Sequence, residues 1–290
     1  MSTNGIQWVK IIQPQKHNVT SLSTNYKIND FSELNFEIAT SKFKENLNLS
    51  INPSNGIASN LSFNTKFILP FDIGDLLFES NIKRSGENFF SHQNNNNIEF
   101  WRERNLNKNT WDLNINEGLG YKFNDFKITL NKDKKHVSSI MLGDYSGFYQ
   151  KSNNFDFNSS YKGQFVSLLK LNYTNAKSSS KLLNNSVWDR KKIDLKFFKS
   201  SLSPVFGYNE ESRTNNIKFN ESLFGLELER KKIKSNIGFI KRDDFNFVNQ
   251  VFNQVSSGLL SNLEIKTIQN KYINASLIFK NQIKKFNNDK

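Results

Sequence analysis

Residues that could carry chemistry are scattered through this chain rather than grouped. The three histidines, His17, His92 and His136, lie far apart, and none has a second metal ligand four residues away. Local spacing therefore gives no support for a zinc site. The chain also has no cysteine, which excludes a disulfide, a thiolate metal site and a cysteine nucleophile. We predict loop or surface positions for the histidines, no metal centre and no cofactor.

Neither acid–base nor nucleophilic catalysis has a recognisable constellation. The adjacent carboxylates Glu210-Glu211 and Asp243-Asp244 would point to opposite faces of a strand. The sequence Gly143-Asp144-Tyr145-Ser146-Gly147 lacks the glycine two residues before the serine that a nucleophile elbow requires. The sequence therefore favours a non-enzymatic protein without catalytic residues.

The densest positive charge lies in two short runs, Arg190-Lys191-Lys192 and Arg230-Lys231-Lys232, and Trp188 stands beside the first. Basic residues next to aromatic ones can bind nucleic acid, so both runs are candidate anion-binding sites. Each run also falls where a predicted strand begins or ends, and turn positions are commonly charged. The net charge of +13 has an ordinary source as well, because Lys, Asn, Ile and Phe have A/T-rich codons. Nucleic acid is therefore not the favoured partner.

The elements that must position these residues follow a period of two. From Trp111 to Leu130 apolar and polar residues alternate, which indicates β-strands because successive strand side chains point to opposite faces. Asn124-Asp125 is typical of a tight hairpin turn, so this stretch predicts two strands. Only the region from Phe245 to Leu260 has apolar residues at helical spacing, and there we predict a short helix.

About a dozen such segments recur, and the chain is rich in Phe and Ile but poor in Ala, a composition that favours strands over helices. We predict an all-β fold built on a continuous antiparallel, hairpin-connected sheet of about a dozen strands, as a β-barrel or part of one. Residues 1–30 would form a lead-in segment, residues 31–280 the antiparallel β domain and residues 281–290 a charged tail.

Two runs keep one uncharged parity for an unusual length, Ile57 to Ile73 and Phe155 to Tyr173. Soluble strands are typically about 5 or 6 residues long, whereas a tilted transmembrane strand needs about 9 to 11. These runs therefore favour a membrane position. The residues that we expect to face lipid are Phe63, Phe67, Leu69, Leu169 and Leu171, and those that we expect to face an aqueous interior are Asn60, Ser62, Asn64 and Lys66.

Other residues bear on the membrane position in both directions. Trp111, Tyr121, Tyr161 and Tyr173 lie near the ends of strand segments, where aromatic rings would suit membrane interfaces. Glu117 falls on the apolar parity of the central stretch and counts against that position.

Several segments combine aromatic and charged residues in one recurring style. They are 100–107 with Trp111-Asp112-Leu113, Leu142-Gly143-Asp144-Tyr145-Ser146, Trp188-Asp189-Arg190, Tyr208-Asn209-Glu210-Glu211 and Leu226-Glu227-Leu228-Glu229-Arg230. From about residue 30 to about residue 280 the chain resembles large uncharacterised surface or outer-membrane β proteins of Gram-negative bacteria. The resemblance implies an outer-membrane or cell-surface location, a structural or transport role, and membrane lipid as a partner. Other subunits, or the rest of a longer chain, would be further partners, and Met1 to Trp8 has no secretory-signal pattern.

The alternative is a soluble or surface-attached β-sheet binding module that acts in adhesion or polyanion binding. In that case the apolar parity would face a protein core. Dependence on detergent would separate the two functions.

Overall fold

The computed structural model describes residues 16–44, 53–71, 73–90, 104–133, 135–198, 200–214, 217–230, 233–248, 251–267 and 276–286. Within these ranges fourteen strands form one sheet, in which strand order follows the sequence and every neighbouring pair is antiparallel. The predicted all-β, hairpin-connected antiparallel sheet is confirmed. β1 and β14 each pair with a single strand in the described part of the chain, where the sheet is open.

The strands are long, and all fourteen of those described have eleven or more residues. They are β1 (Lys16–Asn29), β2 (Ser32–Lys44), β3 (Ser54–Leu69), β4 (Gly74–Ser85), β5 (Tyr121–Lys132), β6 (His136–Gly147), β7 (Gln150–Tyr161), β8 (Val166–Ser180), β9 (Ser186–Phe197), β10 (Leu202–Arg213), β11 (Ile217–Arg230), β12 (Ile233–Val248), β13 (Val251–Thr267) and β14 (Ser276–Phe286). The sheet therefore extends into both the predicted lead-in segment and the predicted tail. The strand ends on one side of the sheet, here named the turn edge, are joined by the connections 30–31, 70–73, 133–135, 162–165 and 198–201. The opposite edge, the loop edge, carries the long connection 86–120.

The largest difference from the sequence prediction lies before β5, where Lys108–Asn116 forms a helix, α1, instead of a strand. The side-chain oxygen of Asn107 accepts a hydrogen bond from the backbone N–H of Thr110 at 3.1 Å, which caps the first turn. Gly118 follows the last turn with a φ of 63°, a left-handed conformation that glycine adopts without strain. No helix in the described ranges is long and apolar enough to span a membrane.

Two further predictions at this level are wrong. β5 passes through Asn124 and Asp125 without a turn, because both residues pair with β4. The predicted helix between Phe245 and Leu260 is instead the end of β12 and the start of β13. A register shift at Asp244/Phe245 and the hairpin after Val248 each change whether odd-numbered or even-numbered residues carry the apolar side chains. Together the two changes give the apolar residues the spacing of a helix.

The two long uncharged runs are resolved in different ways. The first continues as one strand to Leu69 in β3, whereas the second contains the hairpin between β7 and β8, with its turn at residues 162–165.

The pairing register aligns the apolar positions of each strand with those of its neighbours, so that the sheet has an apolar face and a polar face. On the apolar face Phe36 lies opposite Leu61, which lies opposite Ile82. Their chain neighbours on the polar face include Glu37, Asn60 and Lys83. The residues predicted to face lipid all lie on the apolar face, and those predicted to face water all lie on the polar face.

Candidate functional site

Burial in this sheet is inverted relative to a soluble protein. Large apolar side chains on the apolar face are exposed, among them Leu22 at 70%, Phe224 at 56% and Leu142 at 54%. On the polar face, by contrast, Asn154 and Asp156 are buried. Since soluble proteins expose extended apolar patches only where something binds, the apolar face requires a covering medium or partner.

Ion pairs between strands cross the polar face. Lys66 in β3 pairs with Asp75 in the neighbouring β4 at 2.8 Å, and Lys196 in β9 pairs with Glu227 in β11, two strands away, at 2.5 Å. This face also carries buried side-chain oxygens that have no hydrogen-bond donor in the described ranges, namely those of Asn60, Asn81, Asn131, Asn209 and Asn262. Because buried polar atoms are nearly always bonded to protein or water, such a surface suits an aqueous environment.

Residues 104–118, here named the inner segment, lie on the polar face. The Arg104 guanidinium donates to the Asp125 carboxylate in β5 at 2.5 Å, and the Ser152 hydroxyl in β7 donates to the Arg104 backbone oxygen. The Asn105 amide donates to the Ser186 hydroxyl in β9 at 2.9 Å, and its oxygen accepts from Arg213 Nε in β10 at 2.9 Å. Two adjacent residues thus contact strands from β5 to β10, which would be about 24 Å apart in a flat sheet. The sheet therefore curves around the inner segment, with its polar face on the concave side.

Small residues form the seat on which the inner segment rests. Ala176 in β8 is fully buried, and its backbone oxygen accepts from the Asn105 amide at 3.4 Å. In the same row across the sheet a Cβ at Gly143 would stand 2.3 Å from Asn154 Oδ1 and 2.6 Å from Asp125 Oδ1. A larger side chain at either position would collide with this arrangement.

The inner segment also supplies the main apolar cluster. Leu106 packs against Phe123 in β5 and Tyr145 in β6, and Tyr121 lies beside them. Tyr121 is therefore on the polar face, away from the membrane-interface position predicted for it, whereas Tyr161 and Tyr173 lie on the apolar face. The side chain of Trp111 in α1 lies outside the described part of the structure.

Glu117 lies after α1 rather than in a strand, which removes the objection that the sequence raised. Its carboxylate accepts a hydrogen bond from the Tyr149 hydroxyl at 2.7 Å. This hydrogen bond raises the pKa of the Tyr149 phenol above its ordinary value.

Beside the seat, strands β5 to β9 enclose a cavity of about 490 Å³ on the concave face. Its lining is mainly polar and charged, and includes Lys127, Asp156, Asn158, Asn172, Arg190 and Lys192. These six residues come from four strands, and Ser139 and Met141 of β6 complete the lining. The register that joins them depends on turn lengths, and for that reason the sequence alone did not predict Lys127, Asp156, Asn158 or Asn172 as neighbours.

The structure divides the first basic run between the two faces. Arg190 and Lys192 line the cavity, whereas Lys191 points to the apolar face and lies 3.7 Å from Glu210. The second run falls largely outside the described residues: Lys231 and Lys232 are not among them, and of Arg230 only its place at the end of β11 is described.

The histidines occupy separate environments. His17 Nε2 lies 2.8 Å from the Phe90 backbone oxygen, and His136 Nε2 lies 3.0 Å from the Ser138 hydroxyl. His92 is outside the described residues. In the ranges that are described, no three His, Asp or Glu side chains are grouped as a metal site would require.

No protein-family model, curated protein or solved structure matches this chain.

Proposed function

We propose that this chain is a non-enzymatic β-barrel protein of the outer membrane or cell surface, or a segment of such a barrel, with a structural or transport role. The convex apolar face contacts lipid, and the concave polar face lines an aqueous interior that the inner segment narrows. The inverted burial of the two faces carries this proposal, because lipid is the medium that favours an uncharged, exposed band of apolar side chains.

The direction of the apolar band supports the proposal. The row that joins Phe36, Leu61 and Ile82 continues to Asn124 in β5 and Asp144 in β6 and so becomes polar. A row nearer the turn edge is apolar from Ile128 through Ile140, Phe157 and Tyr173, and becomes polar at Lys191 and Glu210. A row nearer still to the turn edge joins Leu195, Phe206 and Phe224. A level band that crosses the rows obliquely requires tilted strands, as in a barrel.

Aromatic residues at the turn edge provide further support. Phe31, Phe71, Phe165 and Phe198 lie in turns there, and their exposed fractions are 50%, 92%, 65% and 43%. Phe71 and Phe198 also have positive φ angles of 60° and 51°, which non-glycine residues rarely adopt. Exposed rings along one edge of the apolar band suit the aromatic girdle at a membrane interface.

The decisive experiment places a charge on each face of the same strand. Phe67→Arg puts a cation on the apolar face of β3, and we expect it to block insertion into lipid vesicles, since a buried Arg costs up to about 2 to 4 kcal/mol near the bilayer midplane. The matched control is Asn64→Arg, because Asn64 lies on the polar face between Glu33 and Glu79. The control should insert like the wild type. A wild-type chain that is monodisperse in plain buffer would instead support the soluble or surface-attached binding module.

The two edge strands, β1 and β14, determine whether the barrel can close. β1 runs from the loop edge to the turn edge and β14 runs back, so the two strands are antiparallel to each other. We propose that they pair in the membrane, which would satisfy the backbone groups of both edges. Alignment of the apolar bands then places Leu22 opposite Phe279.

Cysteine pairs test this closure cleanly, because the chain has no cysteine of its own. Ser21→Cys on the polar face of β1 is combined in turn with Ile278→Cys, Lys280→Cys or Gln282→Cys in β14, and the vesicle-embedded protein is oxidised. We expect one combination to form a disulfide within the monomer. Disulfide-linked dimers as the main product would show that the edges join separate copies.

A further inference from the structure

The guanidinium of Arg190 differs from the other cations around the concave cavity. Its Nε atom is buried and has no hydrogen-bond acceptor in the described structure. Lys127 is paired with Glu79 at 2.8 Å, and Lys192 is paired with Asp194 at 3.2 Å. Lys127 and Lys192 thus already donate to carboxylates, whereas Arg190 has no carboxylate partner in the described structure.

Arg190 has one acid and one neutral residue as its cross-strand neighbours. It lies opposite Thr174 in β8 and Glu211 in β10. The Glu211 carboxylate accepts a hydrogen bond from Trp188 Nε1 at 3.0 Å, and Trp188 is itself in the cavity wall. Thr174 offers a hydroxyl, which cannot neutralise a guanidinium.

Further donors surround the guanidinium. Lys192 lies two residues along β9 on the same face, and its row continues through Asn172 to Asn158, whose side-chain amides can donate. One acid, Asp156, also contributes to the lining, and it accepts a hydrogen bond from the Asn154 amide at 3.1 Å. Asp156 lies two strands from Arg190, beyond Thr174, and limits the positive potential of the cavity.

We propose that this cavity binds the carboxylate or phosphate group of a small organic anion, with Arg190 as the principal ligand. The planar guanidinium matches such a group with two parallel hydrogen bonds, and the amides of Asn158 and Asn172 complete the site. The proposal rests on the aqueous interior of the proposed function and specifies the solute class that the interior favours.

Calorimetric titration of the full chain folded in detergent tests the site without any transport measurement, with inorganic phosphate and acetate as separate probes. The variant Arg190→Gln should weaken the binding of whichever probe the wild type accepts by about tenfold to a hundredfold, the usual effect of losing a charged hydrogen bond. Lys191→Gln is the matched control, because it removes the same charge from the next residue on the opposite face. It should change affinity by less than about twofold, as expected for an exposed charge.

Two more variants separate a built site from general electrostatics. Arg190→Lys keeps the charge but loses the fork, and should still weaken binding, whereas Asp156→Asn should strengthen it. Equal weakening by Arg190→Gln and Lys191→Gln would overturn the proposal, as would the absence of binding for both probes. Vesicle insertion of the Phe67→Arg and Asn64→Arg pair reports on the proposed function separately, so the two failures are distinguishable.

Discussion

The ion pair between Arg104 and Asp125 fixes the inner segment at the level of single residues. The Arg104 side chain is only 6% exposed, and its guanidinium also lies 5.7 Å from the centre of the Phe123 ring. A buried cation that loses its carboxylate keeps the cost of its desolvation, which makes the loss of one partner expensive. Arg104 therefore depends on Asp125 more than exposed pairs such as Lys27 and Asp30 depend on each other.

We predict that Asp125→Ala lowers the free energy of unfolding by about 3 to 5 kcal/mol, because it removes the carboxylate to which the buried Arg104 guanidinium donates. Urea titration of the detergent-folded protein measures this change, and Asp30→Ala is the exposed control, with an expected effect below about 1 kcal/mol. A double-mutant cycle with Arg104→Ala should show strong coupling. Strictly additive effects would contradict the assignment.

The basic run at Arg190 illustrates what single residues reveal in the sequence. Its charge marked it as a candidate for anion binding, and two of its three residues do line the cavity. Strand alternation separates Lys191 from them, a consequence that follows from the pattern once the strand is accepted. The partners from β5, β7 and β8 depend on pairing register, which no local pattern contains.

At the level of elements, the inner segment depends on the small residues beneath it. Ala176 is fully buried under Asn105, so the seat has no room for a larger side chain. We predict that Ala176→Leu displaces the inner segment and raises the conductance of the protein in planar lipid bilayers. Lys177→Leu, on the opposite face of β8, is the control and should leave the conductance unchanged. Reduced protection of α1 amides in hydrogen exchange should accompany the displacement, and an unchanged conductance in both variants would contradict it.

Errors in the predicted elements have specific physical causes. Period two identified nearly all strands, because a sheet with one apolar and one polar face enforces strict alternation. The stretch around α1 alternates as well, yet a helix forms there. Asn107 caps its first turn, and Gly118, in a left-handed conformation, follows its last turn. Those two residues were the available signals, and the alternation concealed them.

For the whole molecule, the oblique apolar band predicts the orientation of the strands. If the band lies level in a bilayer, the strands should tilt by about 35 to 45° from the membrane normal. Polarised infrared spectroscopy of the protein in oriented membranes measures this angle directly. Strands lying in the membrane plane would indicate a sheet attached to the surface and would contradict a spanning barrel.

The sequential strand order has a consequence for how such a chain can change over generations. Each strand pairs only with its neighbours along the chain, so a hairpin such as β10–β11 is a self-contained unit. If both strands were lost, β9 would still run antiparallel to β12, and the alternation of apolar and polar residues would still match across the new junction. Duplication of a hairpin would widen the wall in the same way. The number of strands can thus change in steps of two, while the alternation and the antiparallel pairing of every remaining strand are kept.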